Sequence, residues 1–323
     1  MIGAHQPQTR SRAWMVTVLR WAAALGVLGI LFHFLPLAPL RAALERVPAT
    51  RFAIILLVYF AAHSVGVLKW RLVVNTAGSG LDLLTSARCY FGGLFGTLFL
   101  PSIIGGDIVR LAVGLSRSPR PAAVLAGNVV DRFLDVAAQA TLVVAGLLLL
   151  PGSLPVELRA PARKALLIAA SIAAGVLLLL VFLARPLLAG RSRRFRRRLA
   201  RFAHAFRSVR RRPGTVALAW LVGVLIQGTF IVLNALLAIS CGLFLPLRVW
   251  LFAWPLAKLA ALLPLTQGGM GVREAALVAL LLPFGAASSL SLAAGLVWEG
   301  IIITGGLIAG ATAFLLRRLG ENS

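Results

Sequence analysis

The sequence predicts an all-α, polytopic membrane protein. Three observations lead there. Of 323 residues, 60% are hydrophobic and 13% charged, and the mean hydropathy is +0.94, a balance foreign to ordinary soluble domains. Apolar stretches long enough to cross a hydrocarbon core of about 30 Å recur along the chain. A short signal, LPSIIGGDIVR at 100–110 and LPLTQGGMGVR at 263–273, interrupts apolar sequence twice with the same internal spacing.

In chain order, residues 13–35 follow a polar, basic stretch and run apolar past Ala22, Ala23 and Ala24. That pattern suits an uncleaved first span better than a signal peptide. Residues 52–74, 122–150, 165–184, 215–240 and 286–316 supply five more spans. Residues 83–100 and 250–263 are shorter and run straight into the two motifs.

Charge placement sets the topology. The formal net charge is +24, and twelve arginines with no acidic residue fall between Arg185 and Arg212. Residues 185–213 therefore read as a basic cytoplasmic loop against anionic headgroups, not as a nucleic-acid surface. Were all eight segments to cross from a cytoplasmic start, this loop would lie outside. Treating 83–116 and 250–283 as re-entrant hairpins places Lys69, Arg71, Arg117, Arg120, the arginine-rich loop, Arg317, Arg318 and both termini inside. Six full spans and two hairpins result, within a single transmembrane domain over 1–323. Three spans separate the motifs, so the hairpins enter from opposite faces. Halves near 52–150 and 215–316 then form an inverted repeat, an architecture of alternating-access transporters.

The motifs mark where backbone leaves the regular helix. Proline prevents helix continuation and glycine frees the backbone, which hydrocarbon does not tolerate unless the break is buried in protein or lines a cavity. Gly105, Gly106, Gly268 and Gly269 are expected to offer backbone amides to a headgroup at the start of a half-helix. Tight helix packing is the alternative. Asp107, Arg110, Asp131, Arg132, Asp135, Arg273, Glu274 and Glu299 lie in or beside apolar segments, where one charge costs about 2.5–3.5 kcal/mol on insertion scales. Asp107 is placed to cap the half-helix, with Arg110 and Arg273 presenting planar forks to a phosphate. Asp131 and Asp135, one turn apart, suit a cationic group or pairing with Arg110 and Arg273. Internal salt bridges that fix helix register are the bland alternative throughout.

Other polar residues speak less. His33, His63, Asn128, Gln227 and Asn234 are isolated in spans and suit interhelical hydrogen bonds. Lys258 suits a headgroup contact or a snorkelling side chain. Cys89 and Cys241 lack metal or disulfide spacing. Without a Ser/His/Asp set, phosphate-binding loop or His cluster, no cofactor, ATP hydrolysis or catalytic residue is expected.

LPSIIGGDIVR followed by NVVDRFLD, with LPLTQGGMGVREAAL and a late WEG, resembles the lysylphosphatidylglycerol synthase transmembrane-region family of flippase-like membrane proteins. The resemblance covers roughly residues 52–316. In family members this region is joined to a soluble lysyl transferase and moves the lipid product between leaflets. The given sequence runs seven residues past 316, to Ser323, so lysyl-lipid synthesis is not carried over. The resemblance implies translocation of a phospholipid or polyprenyl-phosphate-type lipid in a bacterial inner membrane. A lipid-binding subunit serving a separate enzyme is the runner-up, and an intramembrane transferase a third reading. Oligomeric state is left open.

Overall fold

A computed structural model describes residues 37–100, 105–150, 193–261, 266 and 268–319, together with Gly29. The apolar segments at 13–35 and 165–184, and the prolines of both motifs, lie outside the described residues. Every regular element within them is helical: α1 Leu37–Glu45, α2 Ala49–Thr76, α3 Leu83–Gly96, α4 Gly105–Arg117, α5 Pro121–Leu148, α6 Arg193–Arg210, α7 Pro213–Ser240, α8 Leu247–Ala260, α9 Val272–Leu281 and α10 Ser288–Leu319. A 3-10 turn, Leu282–Phe284, follows α9.

Helices α2, α7 and α10 are long and apolar enough to cross a membrane. Helix α5 matches the 28 residues of α2 and α7 but carries Asp131, Arg132 and Asp135 in its middle turns. It can lie in hydrocarbon only if those charges find partners. The outward faces are apolar, with Leu57 70%, Leu225 69% and Leu315 61% exposed, a surface that suits lipid contact.

Helices α3, α4, α8 and α9 have only 14, 13, 14 and 10 residues. At 1.5 Å per residue none exceeds about 21 Å, short of a full crossing. They pack as two pairs, α3 on α4 and α8 on α9, with one motif between the members of each pair. Helix α10 touches both pairs, against α3 and α9. Small residues permit that closeness. A side-chain carbon added at Gly306 of α10 would meet Leu98 at 2.9 Å, and one added at Gly146 of α5 would meet the Phe252 backbone of α8 at 2.7 Å. The main core, which includes Ile231, Trp250, Phe252, Leu277 and Ile301, joins α7, α8, α9 and α10.

One element differs from its sequence reading. The basic stretch read as a loop holds the 18-residue helix α6. Phe202, Ala205 and Val209 recur at helical spacing and pack with Ala123, Val130 and Ala219 of α5 and α7. No proline or glycine lies between Arg193 and Arg210, and Pro213 opens the next helix, so an amphipathic helix lying on the bundle satisfies both pattern and charge.

Candidate functional site

The two short pairs meet at their tips. A side-chain carbon added at Gly268 would lie 3.4 Å from the Thr97 carbonyl oxygen, and Thr97, Leu98 and Phe99 line one cavity with Gly268, Met270 and Arg273. Its volume is about 310 Å³, and its deeper wall includes Tyr59, Lys258, Trp298 and Glu299. Phe99, Ile303 and Leu307 lie on its rim, exposed by 55%, 39% and 51%. The mouth is therefore apolar and opens on the side of the bundle. A larger groove of about 1530 Å³ lies between α6 and the start of α5, but it holds none of the motif residues.

Beside the first tip is a balanced cluster of three cations and three carboxylates. Lys69 Nζ lies 2.9 Å from Asp131 Oδ1 and also bonds Asp135. Arg132 donates to Asp107 Oδ1 at 2.6 Å and lies 3.4 Å from Asp135. Arg110 approaches Asp131 to 3.6 Å and Asp107 to 3.8 Å, its guanidinium 4.2 Å from the Tyr90 ring centre. These contacts tie α2, α4 and α5 together. The sequence reading counted Lys69 among cytoplasmic surface charges; the structure buries it at 5% exposure, well inside α2.

At the second tip, Arg273 donates to Glu274 Oε1 from Nε at 3.0 Å and from Nη2 at 2.6 Å. It also bonds Glu299 of α10. The other Glu274 oxygen accepts the Gly271 N–H at 2.7 Å, closing the start of α9. The two motifs thus share a pattern. Each arginine lies near an aromatic ring of the preceding short helix, Tyr90 at 4.2 Å or Trp254 at 5.7 Å, and pairs with a carboxylate of the following long helix, Asp131 or Glu299.

Several site expectations change on this geometry. Arg273 does not present a free fork, because Glu274 and Glu299 hold it; Arg110 is only loosely paired, and its Nε and Nη1 have no hydrogen-bond partner among the described residues. Asp131 and Asp135 pair with Lys69, Arg110 and Arg132, but not with Arg273. Asp107 lies in the first turn of α4 and its Oδ1 accepts a hydrogen bond from Arg132 Nη2. Of the residues picked as substrate-binding, Arg273, Glu299 and Gly268 line the cavity, and His63 and Lys258, named as weaker candidates, line it too.

The glycine pairs are also unequal. Gly105 and Gly106 are helical and tightly packed: an added carbon at Gly105 would lie 2.4 Å from Leu100 Cβ, and one at Gly106 would lie 2.5 Å from the Gly93 carbonyl oxygen. Close helix packing, not an open amide cradle, explains the first pair. Gly268 and Gly269 have φ of +60° and +79°, and Gly271 has +82°, so the second pair makes a left-handed turn that glycine favours. Helix α9 accordingly starts only at Val272.

Lys69, Tyr90, Trp254 and Lys258 were underweighted by sequence reasoning. Lys258 Nζ donates to Gln227 Oε1 at 2.9 Å and lies 5.5 Å from the Phe230 ring centre. Among the described residues no carboxylate lies within ion-pair distance of it. Its position four residues after Trp254, on one helical face, was the available signal.

Residues 6–310 match the family described as Lysylphosphatidylglycerol synthase TM region. No curated protein and no solved structure matches the chain. The match spans most of the sequence, so the chain belongs to that family and is an integral membrane protein.

Proposed function

We propose that this family member moves a phosphate-bearing lipid between leaflets of a bacterial inner membrane. The observation that carries the reading is the cavity between the two motif tips, polar at depth and apolar at a lateral mouth. A headgroup fits a space of about 310 Å³, at the lower end of small-ligand pockets, while its tails leave through the Phe99, Ile303 and Leu307 rim into lipid. The short pairs α3–α4 and α8–α9 serve as re-entrant hairpins from opposite faces, with six full spans, cytoplasmic termini and α6 on the cytoplasmic surface. The shared contacts of Arg110 and Arg273 support an inverted repeat, and hairpins facing opposite leaflets give alternating access. The tight pairing of Arg273 with Glu274 and Glu299 favours, against this, a static lipid-binding subunit, because a clamped tip does not rock.

A vesicle assay decides between them. The purified chain is reconstituted with headgroup-labelled phospholipid, and label in the outer leaflet is bleached by a reductant that cannot cross the bilayer. Protein is expected to bring inner-leaflet label out to the reductant. Ile303→Trp, which fills the cavity mouth from a half-exposed position, is expected to slow this at least about tenfold, equivalent to ~1.4 kcal/mol. Movement no faster than in protein-free vesicles would leave only the static reading.

A further inference from the structure

The cavity's charges are not spent evenly. Arg273 is shared by two carboxylates, Glu274 and Glu299. Both oxygens of Glu274 have partners, the second holding the Gly271 N–H. Against them stands Lys258, a half-buried ammonium that lines the same cavity with one neutral hydrogen-bond partner, Gln227, and the face of Phe230. One helical turn before it, Trp254 is 3% exposed and lines the cavity, and its Nε1–H has no hydrogen-bond partner among the described residues. A cation without a carboxylate partner and a donor without an acceptor, among the described residues, lie on one face of α8 and suit an anionic acceptor.

We propose that Lys258 and Trp254 form the phosphate site of the cavity, and that the site takes a phosphodiester carrying one negative charge, not a phosphomonoester carrying two. The inference rests on reading the cavity as the lipid path. Lysine supplies a compact point charge with three donors and tryptophan a single directed donor. Arginine's bidentate fork is absent from the site because Arg110 does not line the cavity and Arg273 is held by Glu274 and Glu299. Arg273 with two carboxylates leaves one negative charge over, which Lys258 offsets, so the cavity tolerates one added negative charge better than two. A second phosphate charge would meet Glu299, whose guanidinium partner is already shared, and like charges in a low-dielectric cavity repel strongly. Among phosphate-bearing lipids this selects phosphodiester headgroups over polyprenyl monophosphates.

The test uses the purified full chain at pH 7, where a phosphomonoester already carries most of its second charge. Binding of dioleoylphosphatidylglycerol, dioleoylphosphatidic acid and inorganic phosphate is measured by native mass spectrometry and by competition. The diester lipid is expected to bind at least about tenfold more tightly than the monoester, a difference of ~1.4 kcal/mol. Lys258→Gln is expected to weaken diester binding about tenfold or more. Trp254→Phe, which keeps a ring beside Trp298, is expected to weaken it severalfold. Glu299→Gln leaves Arg273 paired with Glu274, so it should fold, and it is expected to raise monoester binding selectively.

Unaltered diester binding by Lys258→Gln, in a variant with wild-type thermal stability, would overturn the site. Equal binding of the two lipids would overturn the charge selection. Inorganic phosphate competing at the lipid's own concentration would overturn the lipid as source. Diester binding that depends on Lys258, in a chain that moves no lipid in the vesicle assay, would support the site and count against translocation alone.

Discussion

Gly106→Ala is expected to leave almost no folded protein, whereas Gly268→Ala is expected to accumulate. At Gly106 the added methyl would lie 2.4 Å from Thr97 Cγ2 and 2.5 Å from the Gly93 carbonyl oxygen, and the reciprocal carbon at Gly93 would lie 2.8 Å from the Gly106 carbonyl. Two backbones meet there, and a carbonyl in a helix cannot rotate aside as a side chain does. Overpacking a close interior contact costs about 1–3 kcal/mol and more when no neighbour yields. Separation of α3 from α4 would follow, which removes the first tip. At Gly268 the added carbon lies 3.4 Å from Thr97 O, ordinary contact, and the cost is mainly the left-handed φ of +60°, about 1–2 kcal/mol. Fluorescence-detected size exclusion and thermal unfolding in detergent separate the two. Equal stability of the variants would show that the α3–α4 contact is not the tight one described.

The second large effect lies in the six-member charge cluster. Asp131 is 1% exposed and faces both Lys69 and Arg110. Asp131→Asn leaves three cations against two carboxylates in a buried site, and stranding a buried charge costs about 3–5 kcal/mol. Removing Lys69 at the same time restores the balance, with Arg110 and Arg132 facing Asp107 and Asp135. The double variant Lys69→Met/Asp131→Asn is therefore expected to recover most of the stability lost by the single one, since well-packed replacement of a buried pair is often close to neutral. The midpoint of thermal unfolding and the yield of monodisperse protein report both. A double variant no more stable than Asp131→Asn would mean that Lys69 is held by something other than charge.

The interruptions of the apolar pattern were legible before any coordinates. The expectation of a half-helix beginning at Gly105 matches α4, and the apolar segments at 52–74, 122–150, 215–240 and 286–316 match α2, α5, α7 and α10 within a few residues. Periodicity and length carry that information, because a long apolar run has few other structures open to it. Pairing between helices was not legible. Lys69 lies near Arg71 and the end of its segment, so charge counting assigned it to a surface, while only the approach of α2 to α5 shows its carboxylate partners. The inequality of the glycine pairs was half visible: GGMG carries a third glycine, Gly271, where the first copy continues with Ile108. Sequence spacing equated the copies, but backbone φ separates them. Lys258 was ambiguous for a similar reason, since a lysine in an apolar run snorkels or stays buried according to what surrounds it.

Alternating access requires the cavity between the tips to open in turn to each leaflet. Thr97→Cys, in a chain whose native Cys89 and Cys241 are buried, places a thiol on the cavity wall. In sealed vesicles of uniform orientation, a thiol reagent that cannot cross the bilayer is applied from one face or the other, with phospholipid present. Labelling from both faces, each slowed by the mouth-filling Ile303→Trp, is the expected result. Labelling from one face only, whatever lipid is supplied, would contradict alternating access and leave a static lipid-binding groove.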